Sequence, residues 1–210
     1  MIAIVDYGMG NLRSVLNAFT AVGAAAQVSD DPAALGEAEA IVLPGVGAFG
    51  EGMSRLQRAG FIPVLEDEVR RKGKPLLGIC LGMQLLATVS REHGRHAGLN
   101  WIPGVVDRLV LPPEADSLRI PHIGWNTVRF TRRDGLYAHL AHAQDFYFVH
   151  SYAFVPEDPR VISGVCTHGR DFAASIEVDN LSATQYHPEK SHQAGLQVLK
   201  NWCARLGVPC

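Results

Sequence analysis

Residues 75–86 read Pro-Leu-Leu-Gly-Ile-Cys-Leu-Gly-Met-Gln-Leu-Leu, and this stretch decides the fold. The apolar run Leu76–Ile79 predicts a buried strand, and the following run Leu81–Ala87 predicts a helix. Cys80 lies at the turn between them, with a glycine two residues away on either side. Glycine avoids a Cβ clash where a chain turns so sharply. The turn therefore presents Cys80 at a helix N-terminus that favours a thiolate, although a buried structural cysteine is the alternative.

A second polar stretch, residues 185–189, reads Gln-Tyr-His-Pro-Glu. Pro188 biases His187 toward extended backbone, and residues two apart in an extended segment point the same way. His187 and Glu189 are therefore expected to face one site. A cysteine nucleophile needs a base for its proton and a carboxylate that orients the base, and Cys80, His187 and Glu189 supply these roles in that order. Taken alone, His-Pro-Glu also fits a surface turn.

Composition limits the class of protein. The 210 residues are 47% hydrophobic, which suits one core, so we expect residues 1–210 to form a single domain. A net charge of -2 gives no basic face for nucleic acid. No apolar run is long enough to span a membrane and no leader is evident, so a cytoplasmic protein is expected. The spacing of the cysteines predicts neither disulfides nor a metal site; these residues are Cys80, Cys166, Cys203 and Cys210.

Strand and helix patterns alternate in the first half of the chain, which predicts an α/β fold with a mostly parallel central sheet flanked by helices. From Gly104 onward, short β-rich runs follow one another with little helix between them, so we expect additional antiparallel strands in the C-terminal half. Helices are predicted at Leu12–Val22, Glu51–Leu56, Ile62–Arg71 and Ser191–Leu206.

Acyl transfer also requires hydrogen-bond donors for the developing oxyanion. The amide of Leu81, directly after Cys80, is one candidate. The second donor is expected from Val46 or Gly47, in the glycine-rich loop that follows the predicted strand Ala40–Leu43. Glycines there could let a peptide rotate between a donor-in and a donor-out state, which is a further hypothesis.

These residues carry a resemblance. Residues 78–84 together with residues 187–189 resemble the class I (triad) glutamine amidotransferases, which release ammonia from glutamine through a glutamyl thioester. Residues 6–11, 44–50 and 121–126 are further similar to the glutaminase subunits of imidazole glycerol phosphate synthases, which act in histidine biosynthesis. The resemblance implies a flavodoxin-like fold and no cofactor.

Roles are implied position by position. Cys80 matches the nucleophile, His187 the general base and acid, and Glu189 the orienting carboxylate. The resemblance places the glutamine at residues that line one pocket: Gly45, Gln84, Glu92, His150, Ser151 and Tyr152. Trp125, Tyr147 and Lys190 match positions that face the partner, a separate (β/α)8 cyclase subunit that makes imidazole glycerol phosphate and AICAR. A heterodimer is thus implied.

Three alternatives remain open at this point. The chain could serve another ammonia-channelling synthase, such as anthranilate, GMP or pyridoxal phosphate synthase, although residues 6–11 and 121–126 argue against this. It could be a cysteine hydrolase of unrelated specificity. It could also be a non-catalytic binding module, which would have no need of Cys80, His187 and Glu189 together.

Overall fold

The computed structural model describes residues 1–113 and 118–207. Its helices are α1 (Leu12–Ala21), α2 (Ala34–Glu37), α3 (Phe49–Arg58), α4 (Phe61–Leu65), α5 (Leu81–Leu85) and α6 (His192–Arg205). Helix α4 continues into a π-helical turn over Glu66–Arg71, and 3₁₀ turns lie at Gly135–Tyr137, Pro159–Val161 and Pro188–Lys190. Its strands are β1 (Ile2–Val5), β2 (Ala26–Ser29), β3 (Ala40–Gly45), β4 (Leu76–Cys80), β5 (Ala87–Ser90), β6 (His96–Ala97), β7 (Ile102–Arg108), β8 (His122–Phe130), β9 (Ala143–His150), β10 (Tyr152–Pro156), β11 (Ile162–His168), β12 (Arg170–Val178) and β13 (Leu181–Thr184).

A nine-stranded sheet forms the centre of the described part of the chain, in the order β2-β1-β3-β4-β13-β12-β11-β8-β9. The first five strands in this order are parallel, and the pairs from β13 to β9 are antiparallel. The predicted α/β fold, with a parallel centre and antiparallel strands in the C-terminal half, is therefore confirmed.

Helices cover both faces of the parallel strands. The apolar side chains form two hydrophobic cores, one on each face of the sheet. Successive residues of β1 alternate between them, so that Ile4 packs in one core and Ala3 in the other. Helices α1 and α6 close the first side, where Phe19 meets Trp202 edge to face with ring centroids 5.9 Å apart. Helices α3 and α4 close the second. A strand buried on both faces reads as a continuous apolar run, which explains why these strands were visible in the sequence.

A smaller sheet was not predicted. Within the described residues it has four strands in the order β10-β7-β5-β6. The prediction of a helix over Leu81–Ala87 was partly wrong, because α5 ends at Leu85 and β5 begins at Ala87. The carbonyl of Leu85 accepts a hydrogen bond from the amide of Leu99, and the carbonyl of Leu86 accepts one from the amide of Trp101. The helix ends here because these carbonyls bind a distant segment and not the next turn of a helix.

Three strand ends meet at one edge of the large sheet. Cys80, the last residue of β4, pairs with Gly45 at the end of β3. On the other side of β4, Thr184 of β13 pairs with Ile79. The loop after β3, the turn at Cys80 and the residues after β13 are thus neighbours, as expected at the carboxyl ends of parallel strands.

Among the described residues, none of the helices combines the length and apolar character that crossing a membrane requires.

Candidate active site

The backbone at Cys80 is strained. Its φ of 55° and ψ of -108° lie in a region that L residues rarely adopt. The flanking glycines permit this turn: a Cβ on Gly82 would lie 1.7 Å from the carbonyl oxygen of Leu43, and one on Gly78 would lie 2.9 Å from that of Gly82. The sharp turn therefore depends on the absence of side chains at both positions, and it places the Cys80 sulfur at the strand end.

His187 and Glu189 form a buried pair. Nδ1 of His187 and Oε1 of Glu189 lie 2.7 Å apart, and the two side chains are only 3% and 2% exposed. The extended backbone expected at His187 is confirmed, with φ of -98° and ψ of 96°, but the extended segment expected to continue to Glu189 was wrong, because a 3₁₀ turn begins at Pro188. The turn nevertheless brings the carboxylate back to the imidazole of the residue before the proline.

The other ring nitrogen of His187, Nε2, makes no contact with Glu189. Nε2 is buried and has no well-formed hydrogen bond among the described residues. Burial by itself lowers the pKa of His187, but interactions with Cys80 and Glu189 favour the charged ring and raise the pKa to about 10. The imidazole of His187 therefore interacts electrostatically with Cys80, and the hydrogen bond that catalysis requires between them can tighten when substrate binds.

Cys80 opens into a cavity of about 310 Å³. Segments from four parts of the chain line it: Val46, Gly47, Cys80, Leu81, Gln84, Glu92, His93, Val149, His150, Ser151 and Tyr152. The predicted oxyanion-hole residues and all but one of the predicted glutamine-binding residues are in this set. The exception is Gly45, which lies behind the cavity, where a Cβ would come within 2.3 Å of the Tyr7 hydroxyl.

Two glutamine residues of the protein, Gln84 and Gln185, are hydrogen-bonded to each other next to Cys80. Nε2 of Gln84 donates to the carbonyl of Tyr152 and to Oε1 of Gln185, both at 2.9 Å. Nε2 of Gln185 in turn lies 3.7 Å from the Cys80 sulfur. The Gln84 amide therefore has both of its protons occupied within the protein.

Glu92 joins the cavity to helix α3. Its Oε2 accepts a hydrogen bond of 2.6 Å from the backbone amide of Phe49, the first residue of that helix. This contact satisfies one of the free amides of the helix N-terminus and fixes the carboxylate at the cavity wall.

The comparisons with known proteins agree with this geometry. A family model described as glutamine amidotransferase class-I matches residues 3–206. The chain belongs to the class I glutamine amidotransferase family. It is 48% identical over 204 residues to a protein of Syntrophotalea carbinolica and 51% identical over 207 residues to one of Geobacter sulfurreducens, each named imidazole glycerol phosphate synthase subunit HisH. These alignments cover 96% of this chain and 98% and 97% of the relatives.

A solved structure titled as a glutamine amidotransferase has the same fold, with a TM-score of 0.76 at 16% identity, covering 99% of this chain and 100% of that one. The resemblance to class I amidotransferases and to HisH subunits that the sequence motifs indicated is therefore confirmed.

The predicted partner-facing residues of this amidotransferase form one surface cluster. Trp125 is 48% exposed, meets Tyr147 edge to face, and stacks on His192 with centroids 4.9 Å apart. Nζ of Lys190 lies 5.8 Å from the centroid of the Tyr147 ring. Strands β8 and β9 place Trp125 and Tyr147 directly opposite each other. The cluster adjoins the turn that carries Glu189.

Sequence reasoning missed three residues of the amidotransferase site. Gln185 directly follows β13, and His93 lines the cavity with its ring edge-on to Tyr152. Tyr7 follows β1, and burial together with the nearby Cys80 raises its pKa. Gln185 and Tyr7 both follow strands at the edge that carries Cys80, and this position was the signal that could have identified them.

Metal ligation finds no support in the described part of this amidotransferase: no group of three or more His, Cys, Asp or Glu side chains there is arranged to hold an ion.

Proposed function

We propose that this chain hydrolyses glutamine to glutamate and ammonia through a cysteinyl thioester, and that it delivers the ammonia to a separate cyclase subunit of imidazole glycerol phosphate synthase. The observation that carries the proposal is the buried His187–Glu189 pair, whose imidazole interacts with Cys80, a residue that lines a cavity of about 310 Å³. The similarity to HisH subunits over nearly the whole chain supports the role in histidine biosynthesis.

The first half of the reaction forms the thioester. The Cys80 sulfur attacks the side-chain amide carbon of glutamine, a C–S bond forms, and the C–N bond then breaks. Because interactions with Cys80 and Glu189 raise the pKa of His187, the imidazole can accept the thiol proton as the sulfur attacks. His187 donates this proton to the leaving nitrogen, while Glu189 holds Nδ1 and stabilises the imidazolium. Ammonia leaves and the glutamyl thioester remains.

The second half hydrolyses the thioester. His187, now neutral, accepts a proton from water, and the water oxygen attacks the thioester carbon. The C–S bond breaks, the proton held by His187 passes to the leaving Cys80 sulfur, and glutamate is released after its new carboxyl group loses the remaining water proton to solvent. In both halves the oxyanion is stabilised by the amide of Leu81 and by an amide of the Val46–Gly47 loop, because donors fixed in advance lower the barrier.

The walls of the cavity hold the amino-acid end of the substrate. Glu92 supplies a negative charge for the α-ammonium group, with Oε1 available because Oε2 is occupied by Phe49. The backbone of Ser151 and Tyr152 and the side chains of Gln84 and His150 complete the pocket, and Gly45 supports the loop behind it. A cavity of this size suits a free amino acid rather than a protein substrate.

The acceptor of ammonia is a (β/α)8 cyclase subunit that binds the face formed by Trp125, Tyr147 and Lys190. Ammonia released into water would be protonated and lose its nucleophilicity, so a protected path to a second site has a chemical advantage. The resulting enzyme is a heterodimer in the cytoplasm, and residues 1–210 act as one amidotransferase domain.

The test is glutamate release from glutamine by the chain mixed with its cyclase, together with labelling by a glutamine-like diazo-ketone. We expect one adduct, on Cys80, and protection of this residue by glutamine. The Cys80→Ala variant should neither react nor release glutamate. Labelling elsewhere, or an active Cys80→Ala variant, would exclude the proposed function.

A further inference from the structure

A chain of hydrogen bonds runs from the edge of the glutamine pocket into the sheet. His150 ends β9 at the cavity, and His122 lies directly opposite it at the start of β8. Nε2 of His150 lies 3.0 Å from Nδ1 of His122, and Nε2 of His122 lies 3.1 Å from Nδ2 of Asn126. At the other end, Nδ1 of His150 lies 2.9 Å from the carbonyl oxygen of Tyr152.

The protons of this chain can be assigned because carbonyls only accept. The Tyr152 carbonyl requires a proton on Nδ1 of His150, so the neutral ring must accept at Nε2. Nδ1 of His122 is then the donor, and Nε2 of His122 accepts from the amide of Asn126. Burial is the main reason that the pKa of His122 is lowered to about 4 and that of His150 to about 3, so both rings are neutral near pH 7.

The imidazole of His122 is held in place by flat neighbours. It stacks on the ring of Phe148 with centroids 4.8 Å apart and on that of His168 with centroids 4.1 Å apart. His168 is itself fixed through Nε2, which lies 2.8 Å from the carbonyl of Arg119. The donor of His122 is therefore aimed at His150 by packing as well as by hydrogen bonds.

The Tyr152 carbonyl is where this chain reaches the pocket. It accepts from His150 on one side and from Gln84 on the other, and Tyr152 itself lines the cavity. We propose that His122 is a positioning residue for glutamine: through His150 it fixes the strand segment Ser151–Tyr152 that forms one wall of the pocket. This proposal rests on the proposed glutaminase function and assigns a role to residues 121–126 beyond the surface cluster at Trp125.

Two variants of similar size separate the hydrogen bond from simple filling of space. His122→Asn keeps an N–H close to the place of Nδ1, whereas His122→Leu has none. We expect His122→Leu, assayed in the complex with the cyclase, to raise the KM for glutamine about tenfold while kcat changes less than about threefold. His122→Asn should keep the KM within about twofold of the wild type. If the role of His122 were purely structural, its substitution would lower the melting temperature, and the two variants would not differ in their KM for glutamine.

The outcomes distinguish the two proposals. An active wild-type complex with an unchanged KM in His122→Leu, or equal KM values in both variants, would overturn the role of His122 alone. An inactive wild-type complex would instead refute the proposed function.

If His122→Leu does not fold, nitrogen-15 NMR of the wild-type chain decides. Both rings should be neutral at pH 7 with the proton on Nδ1. A proton on Nε2 of His150 would break the chain of donors and overturn the proposal.

Discussion

Glu189 accepts a hydrogen bond from the imidazole of His187 at 2.7 Å, across a two-residue turn in which both side chains are almost fully buried. An anion so enclosed is stabilised chiefly by this one contact, because Oε2 of Glu189 has no partner among the described residues. The pair therefore links the charge of Glu189 to the protonation of His187, and through it to Cys80.

Replacing the charge of Glu189 while keeping its shape tests this link. Glu189→Gln retains an acceptor for Nδ1 but removes the anion that stabilises the imidazolium. We expect kcat for glutamate release to fall roughly 10²- to 10⁴-fold. Glu157→Gln, at an exposed position, is the matched control and should leave kcat unchanged. A Glu189→Gln variant with normal kcat would show that the carboxylate does not act in catalysis.

The raised pKa of His187 predicts a pH dependence of stability. Its charged form is favoured in the folded state, so its contribution is fully present below about pH 6.5 and is lost as the pH rises through about 10. The stability difference between the wild type and His187→Gln should therefore shrink across this range in urea titrations.

The contribution of Cys80 to the raised pKa of His187 can be tested directly. Cys80→Ala removes the thiol that helps to raise it, so the imidazole of His187 should titrate at a lower pH in this variant. Proton NMR of the ring, followed from pH 5 to 11, measures the shift directly. An unchanged titration in Cys80→Ala would mean that the two side chains do not interact.

The turn at Cys80 predicts that a glycine-to-alanine substitution lowers the free energy of unfolding far more at Gly82 than at Gly36. Gly82→Ala would place a methyl group 1.7 Å from the carbonyl of Leu43, whereas Gly36→Ala meets nothing nearer than 3.7 Å. We expect Gly82→Ala to lower the free energy of unfolding by more than about 3 kcal/mol. Gly36→Ala should change it by less than about 1 kcal/mol. Equal melting curves for both variants would contradict this description of the turn.

The surface cluster predicts where the cyclase binds. Trp125→Ala removes an exposed aromatic side chain at the centre of the cluster and should weaken binding of the cyclase by about 2 kcal/mol in calorimetry. Val155→Ala removes a similarly exposed apolar side chain from another strand and should have no effect. If both variants bind the cyclase as the wild type does, the interface lies elsewhere.

Activity should depend on this binding. We expect the isolated chain to release glutamate slowly and the mixture with the cyclase to release it faster, because uncoupled hydrolysis would lose ammonia to water. Stopped assays at saturating glutamine, with and without the cyclase, measure the difference. Rapid release by the isolated chain would argue against a channelling partner.

The parallel half of the fold was predictable because its strands are buried on both faces and read as uninterrupted apolar runs, as in β3 and β4. The strands β5 and β10 were missed. Ala87–Ser90 follows a helical pattern without a break, and Tyr152–Pro156 ends in a proline, which argues against a strand. Both depend on pairing with β7, which is a long-range contact that no local pattern records.

Within the candidate site, Cys80, His187 and Glu189 could be predicted from the sequence because the proposed chemistry demands particular residue types at a strand end. The contact of Glu92 with the amide of Phe49 could not, since it joins residues 43 positions apart. The pairing of His122 with His150 could not be predicted either, because these residues are 28 positions apart and only the register of β8 and β9 brings them together.

The enclosure of the Cys80 sulfur also governs how the enzyme responds to oxidants. Cys80 is only 6% exposed, and neither Cys166 nor Cys203 lies in the cavity wall. Among the described residues, therefore, no second thiol lines the cavity to capture a sulfenic acid formed on Cys80 as a disulfide. We expect peroxide to carry such a sulfenic acid on to the irreversible sulfinic acid, so that oxidation inactivates this amidotransferase and does not switch it reversibly.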